Sequence, residues 1–219
     1  MEFPMPRKRE DSFRLALEAL RREVRAGVHP MGARLTANEI ASRLSLSATP
    51  VREALWHLAG EGLIQEHRGQ GFFIPRLSER DVGLLFLLQL ELLQLAARTN
   101  AVTTTGIELD KVLAASHPGG ERFDRLMASE RLLRAVALAA SPPLARHLLR
   151  LQDQLAPFRV AEAVALGDTS GELERLATSV AEGNTEATSD TLREYFTRRV
   201  DAAPTLVRLR ETGVNIESI

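Results

Sequence analysis

Cysteine is absent from this chain of 219 residues, which excludes a disulfide framework, a thiolate metal site and a thiol nucleophile, and makes a reducing cytoplasm the simplest expected compartment. No apolar run near the N-terminus resembles a signal peptide. Long hydrophobic runs are also missing. The most apolar stretch, LLFLLQLELLQLAA at residues 84–97, spans about 14 residues where roughly 20 are needed to cross a bilayer, and Gln89, Glu91 and Gln94 interrupt it. It reads as a buried helix, and no membrane partner is expected. No phosphate-binding or dinucleotide-binding glycine pattern occurs and the histidines are not clustered, so nothing supports an enzyme.

Net charge is nearly absent as well, at −1, but it is unevenly spread. Residues 1–76 carry 12 Lys/Arg against 9 Asp/Glu, a net +3, and the remainder carries 16 against 20, a net −4. A mildly basic first domain (1–76) and an acidic second one (77–219) fit an anion-binding module carried by a different domain. With 44% hydrophobic residues, both can bury a core.

The spacing predicts helix one over residues 11–27, with Leu15, Leu17, Leu20 and Val24 apolar and Gly27 as its stop. VHPMGARL reads as a loop. Thr36 and Glu39 form a capping box for a second helix, about 37–44. After the turn Ser45-Leu46-Ser47, a third helix runs to about Glu61, and Gly62 ends it. Its stripe of Val51, Ala54, Leu55 and Leu58 faces a core, leaving Thr49, Arg52, Glu53 and Trp56 on the opposite face. Two short helices joined by a tight turn make a helix-turn-helix. Two β-prone segments follow, Leu63–His67 and Phe72–Ile74, with RGQG between them. They form a hairpin wing whose tip presents Arg68.

From Leu77 onward the signals are helical. SERD at 78–81 is a capping box variant opening a long helix to about Thr99, with Glu91, Gln94 and Arg98 on a solvent stripe and Gln89 opposite, among leucines. Further helices are expected at about 107–115, 121–140, 143–166, 171–182 and 185–212, separated by HPGG, SPP, GDTS and GN. Pro157 and Pro204 should kink or split theirs. The expected fold is mainly α, a winged helix-turn-helix followed by an all-α bundle.

The segment RLTANEIASRLSLSATPVREALWHLAGEGLIQEHRGQGFFI resembles the DNA-binding domain of GntR-family transcription regulators. In that family a stretch close to SRTPVREAL begins the recognition helix and a GRG-like wing follows. The helical remainder, including LLRAVALAASPPLARHLLRL and LATSVAEGN, resembles the FCD effector domain of the FadR-like subfamily. The resemblance implies a homodimer on a short palindromic operator of double-stranded DNA, with recognition helices in successive major grooves and wings in the minor groove. It places DNA contacts on Arg34, Ser47, Thr49, Arg52, Arg68 and Gly69. Their chemistry agrees: Ser47 and the first helical N–H groups suit a phosphate, as does Arg34; Arg52 can fork onto guanine, and Arg68 suits a narrow groove. The sequence departs from the family pattern in two places. Ala48 stands where arginine is usual, and Trp56-His57 follow REAL where basic residues are common, so some charge-assisted contacts are lost.

FCD domains commonly hold a divalent metal through one aspartate and three histidines, beside which an organic acid binds. The same comparison puts Ser129, Leu133, Leu173 and Tyr195 at those four positions, and none of these is a good ligand at neutral pH. Of the histidines, His29, His57 and His67 lie in the first domain, His117 in a turn, and only His147 on a bundle helix. No metal or other cofactor is therefore expected. An effector would be apolar or held by direct hydrogen bonds, with Gln89 and the sole tyrosine, Tyr195, as polar candidates. The expectation is a repressor released by such an effector; the alternative is a regulator whose second domain has lost sensing and serves only in dimerisation or protein contacts.

Overall fold

The computed structural model describes residues 6–99 and 122–213; the helix expected at 107–115, the HPGG break and His117 lie outside them. The chain divides into two compact units, residues 1–76 and 77–219.

In the first unit, α1 (Pro6–Arg25), α2 (Ala37–Leu44) and α3 (Ala48–Gly60) accompany three short strands, β1 (Arg34–Leu35), β2 (Gln65–His67) and β3 (Gly71–Phe73). The core combines Ala16, Leu20 and Val24 of α1 with Ile40 and Ala41 of α2, the whole apolar stripe of α3, and Leu63, Ile64, Phe72 and Ile74. Helix α1 starts earlier than the pattern suggests and turns a different edge inward. Its stripe is Ala16, Leu20 and Val24 at a spacing of four, flanked by Phe13 and Leu17, so Leu15 falls on the solvent side. Gly27 does close the helix, at φ +69, with Val28 N–H reaching back to the Glu23 carbonyl. Thr36 sits at the N-cap of α2 in extended geometry, but its hydroxyl makes no capping bond.

The turn between α2 and α3 places Ser45 in the left-handed region, φ 56, where its N–H bonds to Ser42 O and the next N–H to Ala41 O. The sheet is antiparallel in the order β1-β3-β2. Strand β1 lies in what reads as loop in the sequence. Two residues have no periodicity to detect, and the strand exists because β3 offers it an edge, pairing Arg34 with Phe73 and Leu35 with Phe72.

The second unit holds α4 (Glu79–Thr99), α5 (Arg122–Ala139), α6 (Pro142–Ala165), α7 (Ser170–Ala181) and α8 (Thr185–Glu211). Helix α4 packs along α8 and against α6, α5 lies on α6, and α7 lies on α8. Ser78 and Asp81 complete the cap of α4 reciprocally. The Ser78 N–H and hydroxyl donate to Asp81 Oδ2 at 2.9 and 2.6 Å, and the Asp81 N–H donates to Ser78 Oγ at 3.2 Å. Asn184 caps α8 by accepting from the Ala187 N–H. Neither proline divides its helix: α6 runs through Pro157 and α8 through Pro204.

Helix α4 has 21 residues and is apolar enough by composition to cross a membrane, so the shortness of its apolar run is not what argues against that role. Half of its apolar window is buried within the unit instead. Gln94, expected on the solvent stripe, is buried and donates to the Ser189 carbonyl on α8 at 3.0 Å.

Candidate DNA-binding surface and interior polar cluster

Helix α3 is oriented by its core stripe: Val51, Ala54, Leu55 and Leu58 are completely buried. Burial of that stripe turns Thr49, Arg52 and Trp56 outward, all exposed, with Glu53 half-buried. Ser47 stands at the N-cap with extended backbone, and its hydroxyl makes no cap bond. The hydroxyl and the first-turn N–H groups of Ala48 and Thr49 make no hydrogen bond among the described residues, and Pro50 has no N–H to offer. Ala48 itself packs partly against the core.

The wing tip is a tight turn, closed by the Gln70 N–H on the His67 carbonyl at 2.8 Å. Gly69 takes φ +77 at its third position, the conformation a type II turn requires and glycine supplies cheaply. Arg68 and Gly69 are exposed there. Arg34 joins them. Its guanidinium runs beside Gly71, 3.7 Å from where a Cβ on that glycine would lie, so it belongs to the wing more than to the start of α2. Arg34, Arg52 and Arg68 make no ion pair among the described residues, whereas Arg21 is engaged by Glu61 at 2.7 Å and Arg43 by Glu23 at 2.9 Å. Three uncommitted guanidiniums on one helix face and one wing form a surface suited to polyanions.

The helical unit brings only some of the positions singled out from its sequence together. Ser129, Leu173 and Tyr195 line a small pocket with Arg125, Glu162 and Arg199. Leu133 is buried in the core and does not line it. Gln89 does not line it either, yet is connected to it: Arg159 donates to Gln89 Oε1 and to the Tyr195 hydroxyl, both at 3.0 Å. Ser129 spends its hydroxyl proton on the Leu126 carbonyl at 2.9 Å.

The pocket is dominated by charges the periodicity did not reveal. Arg199 donates from Nε to Glu162 Oε2 at 2.9 Å, and from Nη1 to Glu172 and to the Tyr195 carbonyl, with its guanidinium 3.3 Å from the centre of the Tyr195 ring. Burial alone would lower the pKa of this guanidinium, but the facing Tyr195, Glu162 and Glu172 outweigh it and hold the group above its ordinary value. Arg198 reaches Glu172 at 3.0 Å from the outer side. Several buried polar atoms have no hydrogen-bond partner, among them Glu162 Oε1, Gln89 Nε2 and Arg159 Nε. The signal for this cluster was present as charged residues inside otherwise apolar stripes: Arg159 and Glu162 in line with Leu155 and Phe158 on α6, and Arg199 between Phe196 and Ala203 on α8.

A divalent cation does not fit these residues. Leu133 and Leu173 have no donor atoms, the neutral Ser129 hydroxyl is a poor ligand, and a fixed guanidinium beside the space repels a second cation. No group of three or more His, Asp or Glu suited to a metal occurs among the described residues. His147 is exposed, while His29 pairs with Glu23 and His57 with Glu61, at 3.0 and 3.2 Å.

Comparison with known proteins bears on both units. Residues 15–74 match the profile of a family described as "Bacterial regulatory proteins, gntR family". An uncharacterized HTH-type transcriptional regulator of Agrobacterium vitis is 31% identical over 97 residues, 44% of this chain and 57% of that protein. A probable D-xylose utilization operon transcriptional repressor of Paenarthrobacter nicotinovorans is 40% identical over 60 residues, 27% of this chain and 26% of that one. The chain thus spans about half the length, or less, of these curated relatives. The solved structure of E. coli McbR/YncC covers 89% of this chain and 97% of its own, with a TM-score of 0.68 at 19% identity, a likeness of fold. The three helices and the wing therefore form a winged helix-turn-helix, and residues 15–74, which build most of it, are similar to the gntR family of bacterial regulatory proteins.

Proposed function

We propose that this protein is a dimeric transcriptional repressor that reads a short palindromic operator and leaves it when a small effector enters the helical unit. One observation carries the DNA half of this reading: Arg52 is uncommitted on the exposed face of a helix whose opposite face is fully buried. Arg52 takes a guanine through O6 and N7, Thr49 and Ser47 position the helix on base edge and phosphate, and Arg34, Arg68 and Gly69 carry the wing along the minor groove. The name of the Paenarthrobacter relative supports repression.

Dimerisation is supported by Leu84, Leu87, Leu88 and Leu95, exposed on α4 at helical spacing, an apolar stripe that a second copy would cover. The resemblance of the helical unit to FCD domains supports a sensing role for it, and the residue chemistry favours sensing without a metal. As folded, the pocket has about 20 Å³ for water-sized occupants, the space of one or two waters. That observation favours a second reading, in which the helical unit serves in dimerisation alone.

Selection of bound sequences from a random duplex pool tests the DNA half. Arg52→Ala should then lose about 1–3 kcal/mol per half-site on the selected duplex, and an equal loss on random DNA would make Arg52 a phosphate contact. A thermal-shift screen of small hydroxy and amino acids, with and without chelator, separates sensor from dimerisation module. A melting temperature that falls with chelator would overturn the metal-free reading.

A further inference from the structure

We infer that Trp56 is part of the base-reading surface, packing its exposed indole on a thymine methyl in the major groove, one helical turn beyond the base that Arg52 reads. The inference rests on the reading of α3 as the recognition helix and adds to it a contact of different chemistry.

Trp56 is the only tryptophan of the chain and remains 56% exposed. It shares the outward face of α3 with Thr49 and Arg52, seven and four residues earlier, so it lies about 6 Å further along the axis than Arg52. That distance corresponds to roughly two base-pair steps of about 3.4 Å. The ring is not loose. It meets Phe72 edge-to-face, with centroids 5.1 Å apart and planes at 86°. Phe72 is buried in the middle strand of the sheet, paired with Leu35 on one side and Glu66 on the other. One edge of the indole is therefore fixed before DNA arrives, and little side-chain freedom is left to lose on binding.

Chemistry narrows the occupant. An uncharged aromatic plane adds nothing to counterion release, so a phosphate is a poor partner for it. Among base edges in the major groove, only thymine offers an apolar group, its C5-methyl. Covering one methyl changes affinity about three- to fivefold. Because the brace is a residue of the wing sheet, the same ring ties the angle of α3 to that of the hairpin.

The test uses the full-length protein and the duplex it selects from a random pool, with each thymine replaced in turn by deoxyuridine, which differs only by that methyl. We expect one thymine per half-site, within two base pairs of the guanine read by Arg52, to cost the wild type three- to fivefold and Trp56→Ala nothing. Trp56→Phe, which keeps a ring against Phe72 if alanine compromises folding, should show less than a twofold effect. Emission of the single tryptophan should become protected from acrylamide in the complex. Equal uracil effects in wild type and variants, or quenching unchanged by the duplex, overturn the inference while leaving the Arg52 contact standing. Failure to enrich any duplex, or Arg52→Ala binding the selected duplex as tightly as wild type, overturns the underlying reading and this inference with it.

Discussion

Arg199 is an arginine whose every neighbour was chosen by folding. Glu162 comes from α6, Glu172 from α7, and Tyr195 from one turn earlier on its own helix. Removing it leaves the buried Glu162 facing Arg159 at 3.7 Å and Glu172 facing Arg198. Arg199→Ala should destabilise the protein by about 3 kcal/mol in denaturant titration, because buried carboxylate charge loses its nearest partner. Glu23 is a milder case at the surface of the first unit. Burial would raise its carboxyl, but hydrogen bonds from Arg43 and His29 outweigh burial and set it below the ordinary value of 4.5. A folded-state pKa below the unfolded one contributes stability above the ordinary value, and that stability is lost as pH falls through the folded value. Glu23→Gln should therefore cost about 1 kcal/mol at neutral pH and lose less stability than wild type on acidification below about pH 4.5. An acid limb unchanged by the substitution would remove Glu23 from the account.

Among the elements, the clearest in the sequence was α3. Four apolar residues at helical spacing, a serine before it and a glycine after it agree with one another, so its buried and open faces followed from pattern alone. The two-residue strand β1 is the opposite case, defined by the edge of β3 and by no preference of Arg34 or Leu35. Leu15 and Gln94 sit at the borders of their helix stripes, where one position's rotation decides burial, and periodicity does not resolve that. The Arg159–Glu162–Arg199 cluster was hidden for a different reason: its partners are brought together from two helices, α6 and α8, and a charge in an apolar stripe does not say which distant charge it meets. Ser45 is the element-scale test of strain. It holds a left-handed conformation at φ 56 without being glycine, at a cost of about 1 kcal/mol. Ser45→Gly should raise stability by up to about 1 kcal/mol in denaturant titration, the greater freedom of unfolded glycine offsetting part of the gain. Destabilisation would mean that the serine side chain contributes something in the turn.

For the molecule as a whole, the proposed dimer makes a prediction about α4. Leu84 and Leu88, one turn apart and both exposed, should lie at the centre of the contact between copies. Leu88→Glu should shift the protein from dimer to monomer in sedimentation and weaken operator binding more steeply than binding to a single half-site. A variant that stays dimeric would move the interface to another face. The cluster inside the helical unit has a further consequence at this scale. Its central positive charge is carried on a side chain, so it cannot be withdrawn by a chelator, diluted by starvation or exchanged for a competing ion. That charge is set when the chain is made and does not vary with the metal supply.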